Sequence, residues 1–415
     1  MNSEKAKVPA ATPEEDYVDR WLKLDNDLLT EIFILLPAKS VTGCKLVCKH
    51  WNSFVSSDEF CHLHTQRYPK PQPSFILDLG PPSLRFVSFD PIMKGEQPII
   101  PYTFSVPTPI IVSSCNGLML LKSDHTDESF HVYNPTTKLS RKISFTDAHT
   151  DNNPYTVALG LAFDPLKSPH YKVICIRSSI GRLTDPYKIQ TYQIEVYDSE
   201  SRTWKLRLGP FTFARLYMFR GCGGVYCNGS IYWETSYKCI YYDIAQNEFK
   251  TLPLPDYPQH EPQIVPYATT SCLQEANGCL YKSRLLTLAN KNFLIIELFE
   301  MEIDDDRSSS WLLRYEELIH QHEFLVPFTG HTHLLRFIKG SYRTETCSVV
   351  SHMYGKVSVY SFLDKSYKLL FDVTGPPLRM QVDYTSPPRH VQVSCRGCTG
   401  PELELYEFVV CLAVV

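Results

Sequence analysis

Three Asn-Gly pairs constrain the fold of this chain more than any other feature of its sequence. They stand at Asn116-Gly117, Asn228-Gly229 and Asn277-Gly278, and a short apolar run follows each pair. Asn-Gly is the preferred sequence for two-residue β-hairpin turns, because both turn positions need a positive φ. The pairs therefore predict at least three hairpins and a chain built largely of antiparallel strands.

A second element also recurs, in which a strand ends in an aromatic residue and a turn-forming residue. A further aromatic residue follows the turn-former by six positions in three copies, which are 196–198 with Trp204, 241–243 with Phe249, and 359–361 with Tyr367. Segment 132–134 begins in the same way, and 297–311 is a candidate for a degenerate copy. The pattern predicts hairpins in which an Asp or Asn side chain bonds the turn backbone.

Repeated hairpins with insertions between them favour a β-propeller, in which four-stranded blades bury their faces against their neighbours. A large β-sandwich is the alternative, and the irregular period leaves the number of blades open. The apolar run 405–415 alternates poorly with polar residues, so we expect it to be a buried strand within a blade.

The region before these strands has the spacing of helices. A first helix follows Asp25 and Asp27 and ends at Pro37, and a second, capped by Ser40, carries an apolar stripe from Val41 to Trp51. A third helix begins at Ser57. Three helices in so few residues cannot bury all this apolar surface among themselves, so we expect a partner protein to cover the rest.

These patterns divide the chain into four parts and define the expected fold class, α+β multidomain. Residues 1–20 form a flexible arm, 21–66 a small three-helix module, 67–109 a Pro-rich connection with the first strands, and 110–415 a large all-β propeller-like domain.

Composition excludes several functional classes. The net charge of -4 does not fit the broad basic surface that duplex nucleic-acid binding requires. No apolar run approaches the ~20 residues that cross a bilayer. We therefore expect a protein partner, no nucleic acid and no membrane. Without a secretory signal, the 14 cysteines are expected to be reduced, and the protein to reside in the cytoplasm, the nucleus or both.

Metal and enzyme signals are weak. Cys395 and Cys398 have CxxC spacing without a second pair, the His-x-His pairs 320–322 and 331–333 are isolated, and Asp304-Asp305-Asp306 lacks the EF-hand spacing. No P-loop, G-x-G-x-x-G, G-x-S-x-G or H-E-x-x-H motif is present. We expect no metal, no cofactor and no catalytic residue.

Segments 24–33, 36–41 and 45–51 resemble the F-box family closely. The resemblance implies binding to the Skp-type adaptor of the SCF (Skp–cullin–F-box) ubiquitin ligase and, through it, to the cullin and the RING protein. It also implies the site residues. The adaptor contact or its immediate support would comprise Leu24, Leu28, Leu29, Ile32, Leu36, Pro37 and Val41. Val47, Cys48 and Trp51 would pack the module, with Trp51 also close to the interface.

The strand-rich remainder resembles the F-box-associated, kelch-like β-propeller domain of plant F-box proteins. The similar segments are 114–118, 132–138, 161–165, 171–173 and 229–233. Together the two resemblances imply a non-catalytic substrate-recognition subunit, whose propeller captures an unknown protein for ubiquitination and degradation. A propeller enzyme or scaffold acting outside the ligase stays open as the alternative.

Overall fold

The computed structural model describes the helical module and most strands of the β domain. The described residues are 24–67, 74–78, 84–88, 99–102, 109–123, 129–145, 155–178, 191–212, 223–235, 238–255, 266–288, 293–303, 309–320, 332–339, 347–353, 356–372 and 404–408. The flexible arm predicted for residues 1–20 lies outside them. None of the described helices is long and apolar enough to cross a membrane.

The helical module has four short helices in its described part, one more than the sequence predicted. They are α1 (Asn26–Phe33), α2 (Ala38–Cys44), α3 (Lys49–Val55) and α4 (Asp58–Arg67). Asp25 caps α1, as its carboxylate accepts a hydrogen bond from Leu28 N at 2.9 Å. The first helix ends at Phe33 rather than at Pro37, because Leu35 N and Leu36 N donate tight backbone hydrogen bonds to Ile32 O and Phe33 O.

The stripe from Val41 to Trp51 belongs to two helices rather than one. Helix α2 starts after Pro37, so Ser40 lies inside the helix and is not its cap. Helix α2 stops at Cys44, and α3 begins after Cys48, whose sulfur accepts a hydrogen bond from Trp51 N at 3.4 Å. The apolar spacing continued across this break, and that is why the sequence predicted a single helix.

The β domain contains five sheets within the described residues. Sheet one has the order β24 (Glu404–Phe408), β1 (Ser74–Asp78), β2 (Leu84–Ser88), β3 (Ile99–Tyr102). Sheet two comprises β4 (Pro109–Cys115), β5 (Leu118–Ser123), β6 (Ser129–Asn134) and β7 (Leu139–Ser144).

The third sheet has eight strands and consists of two four-stranded units. The first unit is β8 (Tyr155–Ala162), β9 (Lys172–Ser178), β10 (Thr191–Asp198) and β11 (Thr203–Thr212). The second is β12 (Gly223–Cys227), β13 (Ser230–Glu234), β14 (Lys238–Asp243) and β15 (Glu248–Pro253). Strands β8 and β12 pair in parallel and join the units.

The fourth sheet comprises β16 (Pro266–Ala276), β17 (Cys279–Leu288), β18 (Phe293–Ile303) and β19 (Ser309–His320). The fifth comprises β20 (Thr332–Lys339), β21 (Cys347–Met353), β22 (Lys356–Ser361) and β23 (Ser366–Asp372). The described residues thus form six four-stranded units, which we number blades 1 to 6 in the order given.

The six blades form a closed ring. Their innermost strands approach one another in the order β24, β4, β8, β12, β16, β20 and back to β24. Strand β24, from the C-terminal region, pairs antiparallel with β1, so one blade combines strands from both ends of the domain. This arrangement is propeller-like, as predicted. The strand predicted for 405–415 is confirmed over 405–408, whereas 409–415 lie outside the described residues.

The three Asn-Gly pairs form the predicted hairpin turns between the first and second strands of blades 2, 4 and 5. The asparagines have φ of 45°, 47° and 53°, and the following glycines 90°, 88° and 81°. Two of these turns also reach the next blade, as Asn116 Nδ2 donates to Phe163 O and Asn228 Nδ2 to Gly278 O, both at 2.7 Å. The turns therefore connect neighbouring blades as well as strands.

The second recurring element is confirmed as the hairpin between third and fourth strands. Tyr197 lies opposite Trp204, and the Asp198 carboxylate accepts hydrogen bonds from the backbone of Glu200 and Ser201. Asn134 and Asp243 accept equivalent turn bonds in blades 2 and 4. The degenerate copy at 297–311 falls in the β18–β19 pair, the equivalent position of blade 5.

Candidate adaptor-binding site

The helical module packs around a small apolar core. The buried residues are Leu29, Phe33, Ala38, Val41, Val55, Phe60 and Cys61. The ring of Trp51 meets the Phe33 ring edge-on, with 4.9 Å between centroids. Leu24, Leu36 and Trp51 are half-buried against this core. The module therefore holds its own shape with contributions from all four helices.

Outside this core, the module exposes a set of large apolar side chains. Leu28, Ile32 and Leu35 follow one another at helical spacing on and just after α1 and are 45%, 40% and 61% exposed. Leu46 and Val47, in the α2–α3 connection, are 90% and 52% exposed. We call these five side chains the exposed apolar set. Exposed apolar side chains of this size are candidates for contact with another protein.

The nine residues predicted for adaptor binding fall into three groups. Leu28, Ile32, Pro37 and Val47 are exposed, whereas Leu24, Leu36 and Trp51 are half-buried. Leu29 and Val41 have no exposed surface and belong to the core, which leaves them the supporting role that the resemblance allowed. Val47 does not pack the module as expected, because it lies in the connection after α2 ends.

Two members of the exposed apolar set were absent from the predicted residues. Leu35 continues the spacing of Leu28 and Ile32, so extending that period by one step would have found it. Leu46 lies beside Val47 in the connection between two helices. Its exposure was not predicted, because the sequence pattern indicated a single long helix there.

Histidines fix the backbone at the two ends of α1. His64 Nε2 lies 2.8 Å from Leu36 O, to which it donates, and His50 Nε2 lies 3.1 Å from Leu24 O. Burial lowers the pKa of His64 below its usual range, and the hydrogen bond to Leu36 opposes that shift. The ring is therefore held neutral at physiological pH and positions the loop that carries Leu35, Leu36 and Pro37.

Partial burial shifts the pKa values of two further side chains of the module. Burial raises the pKa of the Cys44 thiol, and it lowers the pKa of the Lys45 ammonium. A raised pKa keeps the Cys44 sulfur in the protonated, weakly nucleophilic form.

The buried charges among the described residues of the propeller occur as ion pairs. Lys282 Nζ lies 2.7 Å from Glu234 Oε1, and Arg284 Nε lies 2.6 Å from Glu297 Oε2. Arg284 also donates to Pro255 O of the preceding blade at 3.2 Å. These pairs join strands and blades, and buried charges need such partners to remain in a folded core.

The described residues contain no group of three His, Cys, Asp or Glu side chains placed to hold a metal ion. Several sequence candidates lie outside these residues: Cys395, Cys398, the Asp304-Asp305-Asp306 run, His322 and His331. Nothing is described of the side chains of His320 and His333.

Comparison with known proteins defines the class. Residues 21–63 match the F-box domain model, and residues 83–342 match the model of the F-box associated beta propeller domain. The chain therefore belongs to the family of F-box proteins that carry an F-box-associated β-propeller domain. This agrees with the helical module and the ring of blades described above.

The relatives are plant F-box proteins. The chain is 30% identical to F-box protein At5g07610 of Arabidopsis thaliana over 84% of its own length and 85% of that protein. It is 26% identical to F-box/kelch-repeat protein At3g23880 of the same plant, over 56% of this chain and 65% of the relative. Among solved structures, a luciferin-regenerating enzyme matches 74% of this chain and 88% of its own with 12% identity and a TM-score of 0.33. That score adds nothing to the fold assignment.

Proposed function

We propose that the protein is the substrate-recognition subunit of an SCF-type ubiquitin ligase. The helical module binds a Skp-type adaptor, and the adaptor connects the module to the cullin and the RING protein. The propeller holds a target protein. The single observation that supports this most is the exposed apolar set of the F-box module, which lies over a core already complete without it.

The receptor itself performs no covalent chemistry in this proposal. It holds a substrate lysine near the ubiquitin-loaded enzyme, and proximity raises the effective concentration of the reacting groups. The buried Lys, Arg and Glu side chains of the propeller support this reading, because they are engaged in ion pairs between strands. We propose the cytoplasm, the nucleus or both as the site of action.

Adaptor binding is expected to reside in residues 21–66. The test compares the isolated fragment, the full chain and a chain that lacks the fragment, each mixed with purified Skp-type adaptor. The first two should bind and the third should not. If the propeller fragment binds the adaptor and residues 21–66 do not, the proposal is wrong, and the scaffold or enzyme alternative gains support.

Replacing Leu36-Pro37 by Ala-Ala should weaken adaptor binding while the propeller stays folded. Truncating an interface anchor typically costs ~2 kcal/mol or more, which is about a thirtyfold loss of affinity. Calorimetric titration measures the loss, and the urea midpoint of the propeller is the control. Unchanged affinity would remove these two residues from the binding surface.

A further inference from the structure

The last helix of the module contacts two separate parts of the chain. His64 donates through Nε2 to Leu36 O at 2.8 Å, in the loop between α1 and α2. His62 contacts Pro165 O through Nδ1 at 3.0 Å. Pro165 lies in the connection between β8 and β9 of blade 3. Helix α4 thus bonds both the predicted adaptor-binding loop and the propeller.

The two histidines point to opposite sides of α4. Residues two apart on an α-helix are separated by about 200° around its axis. His64 is buried in the module, 5.9 Å from the Phe60 ring, whereas His62 is half-buried. The helix therefore lies between the loop and the propeller and bonds one with each side.

The ring of His62 has a fixed orientation. Gln66, one turn further along α4, places its amide nitrogen 2.9 Å from His62 Nε2. The amide donates, so Nε2 accepts and the proton of the neutral ring is on Nδ1. Nδ1–H then donates to Pro165 O. The two contacts of the ring require the same tautomer and support each other.

The segment that receives this bond is itself well held. Lys167 N and Ser168 N both donate to Asp164 O at 3.0 Å, and the Lys167 ammonium pairs with the Asp164 carboxylate at 3.0 Å. Asn116 of blade 2 donates to Phe163 O at the start of the segment. The segment that contacts His62 is therefore held by hydrogen bonds to blades 2 and 3.

We propose that α4 is a rigid link that fixes the orientation of the propeller relative to the adaptor-binding loop, with His62 as the positioning residue. The role of this link rests on the proposed function, in which a substrate must be held at a set place in the ligase. Pro165 lies in the connection between the first and second strands of its blade, at the same end of the ring as the Asn-Gly turns. The His62–Pro165 contact therefore places that end of the ring against the module.

The first test is amide hydrogen exchange of the full chain without adaptor. His62→Ala should raise exchange of the 166–170 amides about three- to tenfold, as loss of one hydrogen bond implies, and leave 35–41 unchanged. His64→Ala should raise exchange of the 35–41 amides and leave the 166–170 amides unchanged. Glu59→Gln, an exposed change on the same helix, is the control and should alter neither segment.

Conservative variants separate a hydrogen bond from mere packing. An Asn side chain places its amide nitrogen near the position of Nδ1, and a Gln side chain places it near that of Nε2. His62→Asn should therefore restore protection of 166–170, and His64→Gln should restore protection of 35–41. If His64→Ala raises exchange across the whole module, His64→Asn replaces it as the milder disruption.

Orientation is measured by electron–electron resonance between spin labels at Asn52 on α3 and Lys205 on β11, both exposed. Ketone-bearing amino acids carry the labels, because the chain has 14 cysteines. The distance distribution should broaden in His62→Ala and narrow again in His62→Asn. Unchanged exchange and an unchanged distribution in His62→Ala would overturn the proposal. Because no adaptor is present, a failure of adaptor binding is a separate result.

Discussion

Breaking the ion pair between blades 4 and 5 should destabilise the propeller strongly. Lys282 Nζ and Glu234 Oε1 are 2.7 Å apart, and the two side chains are only 3% and 6% exposed. Ser271 also donates to the Glu234 carboxylate, at 2.6 Å. Glu234→Leu leaves the ammonium buried without its carboxylate, and such a loss costs about 3–5 kcal/mol. Lys282→Met should cost a similar amount.

The double variant should behave differently from the sum of the two single variants. A buried pair replaced by apolar side chains of similar volume is often neutral or stabilising. Glu234→Leu with Lys282→Met should therefore recover most of the loss, to within about 1 kcal/mol of the original protein.

Urea unfolding followed by tryptophan fluorescence measures these effects, since Trp233 is buried in blade 4. With a slope on the order of 3 kcal/mol per molar, each single variant should lower the midpoint by about 1 M or more. The reasoning is refuted if the single variants lose less than about 1 kcal/mol, or if the double variant loses their sum.

Three further predictions concern single side chains. A Cβ added at Gly43 in α2 meets nothing within 4 Å, so Gly43→Ala should stabilise the module by about 0.5–1 kcal/mol, measured as slower amide exchange of α2. Burial lowers the pKa of His64, so the unfolded module binds a proton at this ring more readily than the folded module does. The free energy of unfolding of the module should therefore be highest above pH about 6.5 and should decrease as the pH falls below that value. In His64→Gln the exchange of α1 and α4, corrected for intrinsic rates, should lose this pH dependence. Burial raises the pKa of Cys227 to about 12, so iodoacetamide should modify it only after denaturant is added, and rapid labelling of the native chain would contradict its burial.

Local signals in the sequence were sufficient for the turns of the propeller. An Asn-Gly pair or an Asp that accepts bonds from its own turn acts within a few residues, so Asn116 and Asp198 could be placed without knowledge of the rest of the chain. The number of blades could not be found in this way. Strands β1 to β3 carry no Asn-Gly pair, and β24 joins them from more than 300 positions away in sequence.

The exposure of individual side chains in the helical module could not be predicted from the sequence. Leu28 and Leu29 are adjacent and chemically identical, yet one is 45% exposed and the other fully buried. The bond between His62 and Pro165 joins residues 103 positions apart, and no local pattern indicates it. Sequence periodicity located the helical region but merged two of its helices, and the exposed face depended on how the helices pack.

The most direct test of the account is the affinity of the full chain for a purified Skp-type adaptor, measured by calorimetry after Leu28→Ala and Ile32→Ala together. Both side chains are already partly exposed, so the module should stay folded while two interface contacts are lost. We expect at least about a thirtyfold loss of affinity. Leu363→Ala, which truncates a 63% exposed leucine of the propeller, is the matched control and should bind normally. If the double variant binds as tightly as the control, the exposed apolar set is not the adaptor-binding surface and the central claim is wrong.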